Sequence, residues 1–195
     1  MISVIIPVYN QEKTIAAAIN KIIDLPVEKE VVVVNDCSVD NTEAILRGLS
    51  LNGLKVIHHV SNRGRAAALR TGLENASGEF IGIQNGDLGC DPANFLKLLS
   101  VIKDAHADIV LGAPAEQKES GFLSLLKARD YFLTLILNLL FGVKLRNWFT
   151  HCLLLRRESF INLAPQLRGA DIAFEILTKA LKRKMRVMEI SIPHD

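Results

Sequence analysis

Arg63 and Arg65 flank Gly64 just ahead of a segment, residues 65–75, whose apolar residues have helical spacing. The free amides of a helix start and the paired donors of arginine suit an anion with several oxygens, a diphosphate above all. Arg70, further into the same segment, either extends that basic surface or is a solvated face. Asp36, which follows four valines and Asn35, carries a carboxylate able to accept a ring N–H of a nucleobase. Pro7 and Tyr9 can supply the rigid wall that a base and its ribose need. The competing role for Asp36 and Ser38 is to cap the helix that starts near Asp40.

These residues fall where a particular fold would gather them. Four β-branched runs, residues 3–8, 30–35, 54–60 and 79–84, alternate with segments of helical spacing at 12–24, 40–49, 65–75 and 92–103. Val31 to Val34 are apolar at consecutive positions, as in a strand buried on both faces of a parallel sheet. The expected fold is therefore a doubly wound α/β sheet, in which ligands bind beyond the carboxyl ends of the strands. Tyr9-Asn10, Asn35-Asp36, Ser61 to Gly64 and Asn85-Gly86-Asp87 stand there. The second half predicts strands at 107–111, 151–155 and 185–192 and a helix at 171–182. Residues 122–141 read as one long apolar helix or two shorter ones.

Composition removes several function classes. Of 195 residues, 49% are hydrophobic and 23% charged, enough apolar material for one full core. A formal net charge of +2 does not suit a nucleic-acid binder held by phosphate neutralisation. Three cysteines without close spacing fit neither a disulfide scaffold nor a zinc knuckle, and point to a reducing compartment. The amino-terminal run, cut by Pro7, reads as a strand rather than a signal peptide. The most apolar stretch, residues 131–143, has 13 residues, against the roughly 20 of a spanning helix. Neither G-x-G-x-x-G after the first strand nor G-x-x-x-x-G-K-[ST] anywhere is present, which removes the main support for a nicotinamide dehydrogenase or a P-loop nucleotidase.

Four segments stand in the place of those motifs: Ser3-Val4-Ile5-Ile6-Pro7-Val8-Tyr9-Asn10, Val33-Val34-Asn35-Asp36-Cys37-Ser38-Val39-Asp40-Asn41-Thr42, Asn62-Arg63-Gly64-Arg65-Ala66-Ala67-Ala68, and Gln84-Asn85-Gly86-Asp87-Leu88. In order and spacing they resemble family 2 glycosyltransferases of the GT-A fold, and among these the dolichol- and polyprenyl-phosphate hexosyltransferases. The resemblance extends over essentially the whole chain, through Asn138, Gly142, Phe174-Glu175-Ile176-Leu177 and Glu189 to His194. It implies a Rossmann-like, mostly parallel sheet with helices on both faces. It also implies one domain over 1–195, with a nucleotide-sugar half at 1–90 and an acceptor half at 91–195, and a chain that is either truncated at Asp195 or an abbreviated member of the family.

The implied reaction transfers a hexose, with inversion, from a nucleotide-diphosphate sugar to a polyprenyl phosphate or related acceptor. The implied binding residues are Pro7, Tyr9, Asn10, Asp36, Arg63, Arg65, Asn85 and Asp87. Asn85-Gly86-Asp87 falls at the family's D-x-D position, so a magnesium or manganese ion is expected on Asp87 and Asn85, weakly because the amide brings no charge. Asn35 and Cys37 depart from the usual aspartate and glycine, and Gly89 from a polar residue. The implied catalytic residues are Asp87, Glu175 and Asp171, with Ala173 where relatives carry a further acid. Asp171 and Glu175, four apart on one helix face, are the candidate bases if the acceptor is a saccharide hydroxyl. A phosphate monoester needs none, being largely ionised at neutral pH. The competing reading is a catalytically degenerate sugar-nucleotide-binding domain.

The expected location is cytoplasmic, at the cytoplasmic membrane face. Residues 122–143, followed by Lys144 and Arg146, either lie in a membrane interface or pack in the core. Arg156 and Arg157 either meet an acceptor phosphate or are surface charge.

Overall fold

A computed structural model describes residues 1–85, 90–114, 123–146, 148, 152–163 and 172–193. The chain runs β1 (Ile2–Val8), α1 (Ile15–Ile23), β2 (Lys29–Asn35), α2 (Thr42–Gly48), β3 (Leu54–His58), α3 (Arg65–Glu74), β4 (Phe80–Ile83) and α4 (Asn94–Asp104). It continues β5 (Ile109–Pro114), α5 (Leu123–Phe141), β6 (Cys152–Arg156), α6 (Arg157–Leu163), α7 (Ile172–Lys182) and β7 (Val187–Ile192). The strands form one sheet in the order β3-β2-β1-β4-β6-β5-β7. All pairings are parallel except those of β6, which runs antiparallel to β4 and β5.

The consecutive valines of β2 alternate between two cores, as burial on both faces requires. Val31 and Val33 join Ile15, Ile19 and Ile22 of α1 and Phe95, Leu98 and Ile102 of α4. Val32 and Val34 join Ala68 and Leu69 of α3, Ile81 and, further along the sheet, Trp148, Ile176 and Leu177. Helix α3 lies close against β1, where a Cβ on Gly72 would strike the side chain of Ile5. That approach fixes the height of α3, and hence where its first residue, Arg65, stands above the sheet.

Strand order reverses between β1 and β4: the chain proceeds from β1 outward to β2 and β3, then returns to β4 on the other side. A crevice opens above such a switch point. Residues 122–141, left as one helix or two by the sequence, form the single helix α5 over Leu123–Phe141. Helix α6, Arg157–Leu163, is an addition to the elements expected from the sequence.

The direction of β6 corrects one alternative. Because β6 is antiparallel, its last residue, Arg156, pairs with Phe80 at the start of β4. Arg156 thus stands at the end of the sheet opposite the crevice. Its guanidinium lies over the Phe80 ring, donates to the carbonyls of Ala107 and Ile102, and pairs with Glu79. Arg157 donates to the Ser77 carbonyl at the same end. Their charges are used there in holding strands together.

Candidate functional site

The crevice is a cleft of about 220 Å³ lined by Pro7, Val8, Tyr9, Gln11, Asp36, Arg65, Ala68 and Asn85. It joins the ends of β1, β2 and β4 to the first turn of α3, so five of the residues singled out by sequence meet in it. Tyr9 is 45% exposed, and with Pro7 it forms one wall.

The ends of β2 and β3 are joined residue by residue. Asn35 and His58 are register partners, and the Asn35 amide donates to His58 Nδ1 at 3.2 Å. Asn35 Oδ1 in turn accepts from the Ser38 amide and hydroxyl, closing the turn after β2. The amide that departs from the family's aspartate therefore has a structural role: buried beside an imidazole, it donates and accepts without bringing a charge. Cys37 adopts φ +60°, the left-handed region where glycine is unstrained. Asn10, also left-handed, donates from its amide to Ser38 Oγ and accepts the Val39 amide on Oδ1. It ties the loop after β1 to the loop after β2.

Asp36 is only 3% exposed, yet it lines the cleft. It does not cap α2; Asp40 takes the Thr42 amide at 3.0 Å instead. Burial works against the ionised form of Asp40, but hydrogen bonds from Thr42 and Glu12 outweigh it and hold its carboxyl below the usual range. Asp36 faces the third strand loop. Its Oδ1 accepts from His59 Nδ1 at 2.7 Å and from the Arg63 amide at 2.9 Å, and its Oδ2 accepts from the Gly64 amide at 2.7 Å. A carboxylate oxygen set against the ring nitrogen accepts, so His59 donates from Nδ1, and its Nε2 lies within hydrogen-bond distance of the Thr71 hydroxyl, at 2.9 Å. His59 and Thr71 are site residues that sequence reasoning missed. Two consecutive histidines closing a strand were the available signal.

The Asp36 clamp sets the loop that enters α3. Gly64, at φ +84°, turns the chain so that its carbonyl accepts from Ala67 and Ala68 in the first turn. Arg65 then projects over the cleft, and its Nη2 donates to Asn85 Oδ1 at 2.6 Å. Arg63 contributes its amide to the clamp, and its side chain is exposed.

Asn85 thus offers an oxygen already held by a cation. No group of three His, Cys, Asp or Glu able to hold a metal occurs among the described residues. A guanidinium 2.6 Å from that oxygen repels a second cation, so Asn85 does not fit a divalent ion in this arrangement. Asp87 and Asp171 lie outside the described residues. Glu175, on α7, is not among the described residues lining the cleft; its carboxylate accepts from Lys179 Nζ at 2.9 Å. Cys90 and Cys152 are buried, and the Cys152 thiol, hydrogen-bonded to Cys90 and desolvated, is pushed far above the ordinary thiol range. It stays a neutral, unreactive thiol.

A model of the family described as Glycosyl transferase family 2 matches residues 3–164. A dodecaprenyl-phosphate galacturonate synthase of Rhizobium johnstonii is 25% identical over 154 residues, 75% of this chain and 45% of that protein. A bactoprenol glucosyl transferase of Shigella phage SfV is 32% identical over 128 residues, 63% of this chain and 41% of that one. The chain spans less than half the length of these curated relatives. Among solved structures, glucosyl-3-phosphoglycerate synthase from Mycobacterium tuberculosis, crystallised with Mn2+, uridine diphosphate and phosphoglyceric acid, superposes with a TM-score of 0.76. It is 21% identical, and the match covers all of this chain and 70% of that one. At that identity the likeness shows the shared GT-A fold.

Proposed function

The chain belongs to glycosyl transferase family 2, and from that premise we propose that it moves a hexose from a nucleoside-diphosphate sugar to a polyprenyl phosphate or closely related acceptor. The observation that carries the reading is the cleft at the switch point, which joins a carboxylate and an aromatic wall at one end to an arginine over a helix start at the other. In this reading residues 1–90 hold the donor and residues 91–195 face the acceptor.

Each residue has a physical task. Asp36 accepts a ring N–H of the base while Pro7 and Tyr9 flank it. The first turn of α3 and Arg65, with Arg63, face the diphosphate and stabilise the charge that grows on it as the sugar leaves. An acceptor phosphate oxygen attacks the anomeric carbon from the face opposite the donor. The bond to the donor's terminal phosphate oxygen breaks, the nucleoside diphosphate departs, and the configuration inverts. The nucleophile is already ionised, so positioning and charge neutralisation supply the rate.

The manganese in the mycobacterial structure raises the question of a cation here. Asp87 is the carboxylate proposed to carry one, as magnesium or manganese, and such an ion would add positive charge at the diphosphate. Arg65 supplies part of that charge from the protein itself.

The membrane face belongs to this proposal as well. Helix α5 turns Leu137 and Phe141 toward the core and leaves Phe132, Leu135, Ile136, Leu139 and Leu140 exposed, at helical spacing on one face. No helix among the described residues is long and apolar enough to cross a membrane. An apolar ridge beside exposed Lys144 and Arg146 supports peripheral contact with a lipid surface that presents a lipid-linked acceptor.

The test is transfer of radiolabelled sugar from a panel of nucleotide sugars to polyprenyl phosphate in vesicles, by wild type and by Arg65→Ala. The reading expects a lipid-linked product with wild type and a loss of about tenfold or more in the variant. Release of no product with any donor would overturn it.

A further inference from the structure

Gln84, the residue before Asn85, is fully buried, and the two ends of its amide are served unequally. Nε2 donates to the Cys90 carbonyl at 2.9 Å and to the Asn85 carbonyl at 3.2 Å. Oε1 is buried with no hydrogen-bond partner among the described residues. We propose that Gln84 is a positioning residue for the diphosphate end of the cleft: it ties Asn85 to Cys90, and so holds Asn85 where its side chain orients Arg65. The inference rests on the reading of the cleft as a nucleoside-diphosphate site and deepens it.

Strand alternation puts Gln84 out of the cleft and its neighbour into it. A Cβ on Gly82 would strike the Phe95 ring of α4; two residues on, Gln84 falls on that same face, while Asn85 falls on the face of α3. The Gln84 amide still donates to the Ile5 carbonyl of β1 at 3.0 Å, so its backbone is pinned to the sheet. Cys90 is the anchored end of the tie. It lies in the same buried cluster as Phe95, and it is hydrogen-bonded to the thiol of Cys152, whose register partner on β5 is Gly112. Asn85 is the end that meets the cleft, where its Oδ1 accepts from Arg65 Nη2 at 2.6 Å.

An apolar side chain of similar size would fill this space without burying an unpaired acceptor, which is unfavourable. What the amide adds here is therefore its donors. Both go to main-chain carbonyls, and one of these belongs to the residue that touches Arg65. Without the tie Asn85 can shift, and Arg65 loses that partner. Pro7 on β1, and Tyr9 and Asp36 just beyond β1 and β2, keep their places, so the base end of the cleft is untouched.

The experiment is calorimetric titration of wild type, Gln84→Met and Gln84→Asn with uridine, thymidine, guanosine, cytidine and adenosine diphosphates and with the matching nucleosides. Methionine keeps the length and removes both polar atoms of the amide. Asparagine keeps the amide but withdraws it by one methylene, which serves if the methionine variant does not fold. Both variants are expected to bind the diphosphate that wild type prefers about fivefold or more weaker, as the loss of one or two hydrogen bonds implies, with affinity for its nucleoside unchanged. A role confined to holding the fold would lower both affinities together or neither. Equal losses, unchanged diphosphate affinity, or failure of both variants to fold would overturn the inference and leave the proposed transfer standing. Binding of no nucleoside diphosphate by wild type would overturn both.

Discussion

His59 Nδ1 lies 2.7 Å from Asp36 Oδ1, the two side chains are 5% and 4% exposed, and the far ring nitrogen of His59 is held by Thr71 of α3. One imidazole thus links the carboxylate of the cleft to the helix that carries Arg65. Replacing it with His59→Phe keeps a ring in the core but removes both hydrogen bonds. A lost bond to a charged group costs about 1.5–3 kcal/mol, so the melting temperature should fall by several degrees. Nucleoside diphosphate affinity should fall with it, as the 59–64 loop loosens. An unchanged melting curve would show that the link carries no energy.

Arg65 is assigned to the diphosphate and not to the base. Arg65→Ala should therefore weaken uridine diphosphate by about tenfold or more while leaving uridine almost unaffected. Titration of both ligands into both proteins checks this. Equal losses for the two would place Arg65 elsewhere in recognition.

At position 85 the amide costs a divalent cation one unit of ligand charge, and the neighbouring guanidinium opposes it further. Wild type should bind Mn2+ weakly without nucleotide. A unit charge pair at about 4 Å is worth roughly 1 kcal/mol in bulk water and roughly 4 at an effective dielectric of 20, part of which Arg65 would absorb. Asn85→Asp should then tighten Mn2+ by about tenfold in the presence of uridine diphosphate, read by calorimetry. A variant indistinguishable from wild type would contradict this account of position 85.

At the opposite end of the sheet, Glu30 Oε1 accepts from the Ser3 hydroxyl, the Ser77 amide and hydroxyl, and the Gly78 amide. Burial pushes this carboxyl up, but those donors outweigh it and hold it below its ordinary 4.5. A folded-state value below the unfolded one means that the stabilisation is complete above about pH 4.5 and is lost as pH falls through the folded value. Glu30→Gln should cost about 1–3 kcal/mol at neutral pH, and its gap from wild type should close in acid. Denaturant unfolding at pH 7 and below pH 4 measures both. A gap independent of pH would contradict the sign.

The features legible in the sequence were those set by local pattern. Val31 to Val34 announced a strand buried on both faces, and the polar residues after β1, β2 and β4 did meet in one cleft. The direction of β6 was not legible, because a five-residue apolar strand reads the same either way and only pairing with Phe80 and Ile109 settles it. Arg156 was accordingly unplaceable from its neighbours in sequence. Within the site, Asp36 was recognisable as an acceptor, but its partners come from residues 23 to 28 positions away, a distance no periodicity reports. For the same reason Asn35 read only as a departure, until its register with His58 gave it a role. The clamp on Asp36 is a tertiary fact.

The most direct measurement of the central claim is a crystal structure of the protein soaked with a uridine-diphosphate sugar. The account predicts the base edge on the Asp36 carboxylate, its face along Pro7 and Tyr9, and the diphosphate at Arg65 and the start of α3. A nucleotide found outside this cleft, or in it with the base turned away from Asp36, would contradict the account.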